Sequence, residues 1–70
     1  MNNYERFRAL LHIINSNELT WDNLEEAGIS RKVFSELEMA HLKEIENGSA
    51  KDDPQEYEIY KKEFMDMLFK

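Results

Sequence analysis

Glycine stands at positions 28 and 48 and proline at position 54, and neither occurs anywhere else in the 70 residues. These two residue types are the strongest punctuation a chain carries. An all-β domain needs a turn signal roughly every 8–12 residues, and this chain cannot supply them. Long helices separated by few breaks are the expected architecture.

The apolar residues agree. From Asn3 to about Asn15, Tyr4, Phe7, Leu10, Leu11 and Ile14 fall on one side of a 3.6-residue helix, with Ile13 at the edge of the stripe and Arg8 and His12 opposite. Asn15-Ser16-Asn17 reads as a stop. A short second helix follows, with Thr20 as N-cap, Leu19 and Leu24 as a hydrophobic staple, and Asp22 in the first turn. It ends before Gly28, where a left-handed residue is needed. Ser30 caps a third helix, with Ile29 and Phe34 as its staple. Its stripe is Val33, Phe34, Leu37, Ala40, His41 and Ile45, and it ends at Asn47-Gly48. Met39 and Leu42 form a second, weaker apolar face. After the linker-like residues 48–53, Asp53 caps a fourth helix with Pro54 at its first position and Glu56 completing a capping box. Tyr57, Tyr60, Phe64, Met67 and Leu68 make the stripe of this helix, which is expected to reach residue 69. The reading is all-α: one small domain over residues 1–70, with a three-helix unit over 3–47 and a C-terminal amphipathic helix over 54–69.

Composition excludes several functions. With no cysteine there is no disulfide framework, thiolate zinc site or thiol nucleophile. No apolar run approaches the roughly 20 residues of a membrane span. The start lacks the basic-then-apolar pattern of a signal peptide, so a cytoplasmic protein is expected. His12 reads as exposed and His41 has only Glu44 at helical spacing, too few partners for a metal site, and the carboxylate pairs Glu25-Glu26, Glu36-Glu38 and Asp52-Asp53 lie on exposed helices or a loop. Catalytic carboxylates need contrasting, desolvated surroundings. Neither an enzyme nor a cofactor is expected, and no small-molecule substrate.

Charge is informative by its distribution. The net charge is −6, from 9 basic and 15 acidic residues. Residues 1–32 are nearly balanced, and the excess of carboxylates lies after residue 32. Any contact with nucleic acid must use a local basic patch on the first half, with the acidic half turned away.

The junction Ala27-Gly28-Ile29-Ser30 sharpens this. Two helices cross steeply over so short a turn only where one residue takes positive φ, and glycine does so freely. Ile29 then plugs the corner from beneath and Ser30 caps the next helix. The stretch from Thr20 to Leu37 resembles the helix-turn-helix of bacterial and phage DNA-binding regulators. Gly28 matches the turn glycine, Ile29 the buried residue after it, and Phe34 and Leu37 the inward positions of the recognition helix. Leu24 departs from the pattern, which usually has alanine there, and implies a wider helix pair. The resemblance implies that Ser30, Arg31, Lys32, Ser35 and Glu36 face DNA. Arg31 would pair with guanine and Glu36 would accept from cytosine. Thr20 and the helix N-termini would contact phosphates, with Arg6 and Arg8 adding to them.

Apolar residues in excess of one small core point to a homodimer. Met39, Leu42, Tyr60, Phe64, Met65 and Phe69 are the expected interface residues, and Trp21 reads first as a lid on the core and otherwise as an interface anchor for a partner. The alternative to a regulator is an acidic helical module that binds a nucleic-acid-binding protein, as an inhibitor, a DNA mimic or a regulatory cofactor. Val33-Phe34, Leu42 and Glu44 also resemble a helix of the small haemolysin-expression-modulating proteins, with Met39 where that family has an acidic residue.

Overall fold

The structure, a computed structural model, describes residues 2–69. They form four helices and no strand: α1 (Asn3–Ser16), α2 (Trp21–Glu26), α3 (Arg31–Asn47) and α4 (Pro54–Leu68). The connecting segments coincide with the breaks read from the sequence.

Helix α1 is the hub, because both α3 and α4 pack on it. Phe7, Leu10 and Ile13 of α1 meet Leu24 of α2, Ile29 of the corner, Leu37 of α3 and Phe64 of α4 in one core. A helix covered on two sides buries more than a single stripe. Ile13, expected at the edge of the apolar face, is therefore 1% exposed, while Leu11 and Ile14 are only partly buried. Full burial of a side chain such as Leu10 stabilises by about 1.5–3 kcal/mol.

The ends of the helices follow local chemistry. The Ser30 Oγ accepts from Val33 N–H at 3.2 Å, and Asp53 Oδ1 accepts from Gln55 and Glu56 N–H at 3.1 and 3.2 Å. Thr20 and Asn23 form a reciprocal capping box on α2. The box expected from Glu56 on α4 does not form. Asp53 N–H donates instead to the Glu5 carboxylate, at 2.9 Å.

Glu5 is the unexpected member of the interior, 1% exposed in a chain with this many carboxylates. Its second oxygen takes a charge-assisted hydrogen bond from Arg8, whose guanidinium also reaches Asp52 at 3.1 Å. Burial acts to lower the Arg8 pKa, but Glu5, Tyr4 and Asp52 together outweigh it and the net shift is upward. The Asn2 side chain donates to Lys51 C=O at 2.9 Å. These contacts tie the start of α1 to the segment leading into α4. From the other side, the Glu44 carboxylate of α3 accepts from Asn3 N–H at 3.1 Å and Tyr4 N–H at 3.0 Å, capping α1 from 40 residues away. A carboxylate there also suits the positive end of the helix dipole.

Candidate nucleic-acid interface

The corner between α2 and α3 is built from backbone bonds. Gly28 has φ +93°. Its N–H donates to Glu25 C=O at 3.0 Å and Ile29 N–H to Leu24 C=O at 2.8 Å, the paired bonds of a Schellman motif. The apolar residues that accompany the motif, Leu24 and Ile29, are each 2% exposed and belong to the same core. The leucine at position 24 is thus accommodated as part of the core.

Helix α3 leaves this corner with Ser30, Arg31, Lys32, Ser35 and Glu36 all exposed. Phe34 and Leu37 turn inward, Phe34 half-buried and Leu37 buried. Lys32, Ser35, Glu36, Met39, Ala40 and Lys43 line one shallow groove along the outer side of α3. Lys43 was not singled out in the sequence. The signal was present in the spacing 32, 36, 39, 43, which follows one face of a helix.

The other expected contacts fall elsewhere. The Thr20 hydroxyl and N–H both bond Asn23 Oδ1, at 3.0 Å each, so the capping box engages the groups expected to meet phosphate. Arg8 is held by Glu5 and Asp52 and lies over the rings of Tyr4 and Tyr57. Arg6 is half-buried, with its guanidinium 5.9 Å from the Phe64 ring centre, in the cleft shared by α1, α3 and α4. The structure leaves Ser30, Arg31, Lys32, Ser35 and Glu36 exposed at the start of α3, with Lys32, Ser35 and Glu36 together on one groove and Arg31 over Trp21, and it engages Arg6 and Arg8 with α4 and the connector before it.

Of the expected interface residues, Tyr60 and Phe64 belong to the core. Phe64 is 7% exposed and Tyr60 packs partly buried beside it, because the inner face of α4 is needed to cover α1. Met39, Leu42, Met65 and Phe69 are exposed, as are Ile45 and Ile59, which were not expected there. Trp21 is 36% exposed and meets Phe34 edge-on at 5.1 Å, with the Arg31 guanidinium 5.0 Å from its ring. His41 stacks on Phe7 at 4.2 Å, and exposed His12 lies edge-on to Tyr57 at 6.3 Å. Glu44, three residues after His41 on the same helix, is engaged in capping α1. Among the described residues no group of three or more histidine or acidic side chains is placed to hold a metal ion. No helix among them is long and apolar enough to cross a membrane.

Comparison with family models, curated proteins and solved structures finds no match.

Proposed function

We propose that this chain is a small DNA-binding regulator of the helix-turn-helix kind, with the first turns of α3 as the reading element. The observation that carries the reading is the corner itself. Gly28 at φ +93°, Ile29 buried beneath it and Ser30 capping α3 leave Arg31, Lys32, Ser35 and Glu36 outward at the start of the helix. Recognition helices place their N-terminal residues at base edges in the major groove. Arg31 is the candidate for guanine and Glu36 for cytosine, while Lys32 and Lys43 neutralise phosphates on either side of the groove along α3.

Electrostatics sets the character of the binding. At a net charge of −6 the chain has no long-range attraction to DNA. Affinity must come from close contacts and from a second copy, and Leu42, Met65 and Phe69 offer the exposed apolar surface for self-association. Two copies would supply the paired half-site contacts typical of this class.

The experiment is a low-salt binding assay with the DNA upstream of the gene. Arg31→Ala is expected to cost about 1–3 kcal/mol and relax one base preference, and Lys32→Ala to weaken all sequences alike and flatten the salt dependence by about one charge. Equal binding by both variants and the parent chain would contradict the proposal.

A second reading, the acidic module that captures a nucleic-acid-binding protein, is favoured by Met39, Leu42 and Ile45. Each is about half exposed on α3, between Glu38 and Glu46. It predicts the reverse pattern. Arg31 and Lys32 would be dispensable, and charge reversal at Glu38, Glu46 and Glu58 would abolish capture.

A further inference from the structure

Arg31 is held by a ring, not by a carboxylate. The chain has 15 acidic residues, and two of them, Glu5 and Asp52, bind Arg8. Arg31 makes no ion pair or hydrogen bond among the described residues, and its guanidinium carbon lies 5.0 Å from the Trp21 ring centre. A cation–π contact draws the guanidinium to the negative face of the ring and leaves the N–H fork without a protein acceptor.

The ring is itself anchored. Trp21 stands edge-on to Phe34 at 5.1 Å, and Phe34 meets Phe7 at 5.3 Å. Phe7 is 4% exposed and stacks on His41. A row of rings thus runs from the core to the surface and ends under Arg31. Trp21 and Arg31 are the first residues of α2 and α3, so the Schellman turn between the two helices fixes platform and cation relative to each other.

We infer that Trp21 is a positioning residue for Arg31, and that the pair sets a guanine preference at one base of the bound site. This rests on the DNA-reading function proposed above and adds the device that orients its principal contact. Bidentate pairing with guanine O6 and N7 demands a fork held in one plane. An arginine stacked on a fixed ring enters the groove with less freedom to lose.

The test has two arms. In the free protein, the side-chain proton resonances of Arg31 are expected to show an upfield ring-current shift. The shift should persist in Trp21→Phe and vanish in Trp21→Leu. For the second arm, duplex DNA is selected on the parent protein from a randomised pool at low salt, and the most enriched duplex is the probe. Trp21→Leu and Arg31→Ala are each expected to lower affinity about tenfold and to erase the same guanine preference. The double variant should lose no more than either alone, and Trp21→Phe should retain most of the affinity. Unshifted Arg31 resonances in the parent protein overturn the inference, and that measurement needs no variant to fold. Parent-like affinity and preference in a folded Trp21→Leu overturn it as well. A pool that yields no enriched duplex removes the guanine preference together with the DNA-reading function. Shifted Arg31 resonances in that same protein would identify the reading, not the positioning, as the part that failed.

Discussion

Glu18 has φ +51°, the one non-glycine residue in the left-handed region among those described. It occupies the turn after α1, where Leu19 N–H reaches back to Ile14 C=O at 3.1 Å. That backbone bond closes the helix and requires the left-handed conformation just before it, at a cost a side chain with a Cβ feels and glycine does not. Glu18→Gly is expected to raise stability by about 0.5–1 kcal/mol in a denaturation midpoint measurement. Glu44 works in the opposite sense. Its carboxylate satisfies two backbone donors at the start of α1 and the Asn3 side chain at 2.9 Å. Glu44→Ala leaves those donors without it and should destabilise by about 1–3 kcal/mol. Glu44→Gln, which keeps one oxygen acceptor, should cost less. Equal losses in the two variants would show that packing rather than capping is what Glu44 contributes.

At the scale of elements, the corner of α2 and α3 is decided at Gly28. A Cβ added there would meet only Met67 Cε, at the ordinary contact distance of 4.0 Å. The space is open, so the cost of Gly28→Ala is conformational and should be about 1 kcal/mol, and Gly28→Val should cost more because a branched side chain tolerates positive φ least. A thermal melt of both variants checks the order. This corner was legible in the sequence because everything that makes it is local: a glycine, a buried isoleucine and a serine cap within three residues. The two ends of α3 and the start of α4 at Asp53-Pro54 were legible for the same reason. What was hidden was non-local. The Glu56 capping box on α4 gave way because Glu5 reached Asp53 N–H first. Arg8 looked free on the polar side of α1 until the connector placed Asp52 beside it. Tyr60 and Phe64 looked surplus until α1 proved to be covered by both α3 and α4, which draws the inner face of α4 into the core. At the candidate interface, Arg31 and Lys32 were legible from their place after the cap, whereas the ring beneath Arg31 came from α2 and could only be found in three dimensions.

For the whole molecule, charge and apolar exposure pull in opposite directions on self-association. A chain with a net charge of −6 repels both DNA and its own copies at long range. Screening that repulsion with moderate salt should promote self-association through Leu42, Met65 and Phe69, while the same salt weakens phosphate contacts. Sedimentation at high micromolar concentration is expected to show a dimer, and Met65→Glu to return it to the mass of one chain. A single-chain mass for the parent protein at all salt concentrations removes the dimer. With few cations on α3, the salt dependence of DNA binding should be shallow, about one unit of slope per phosphate contact made.

The most direct measurement of the central claim is a backbone amide titration followed by NMR, adding short duplex DNA at low salt to the isotope-labelled chain. The largest shifts are expected at residues 30–36, at Lys43 and at the start of α2 around Trp21. The outer face of α4, at Ile59, Lys62 and Asp66, should stay unchanged unless the dimer itself is altered. Perturbation confined to α4, or an unperturbed spectrum up to millimolar DNA, would contradict the assignment of α3 as the reading helix.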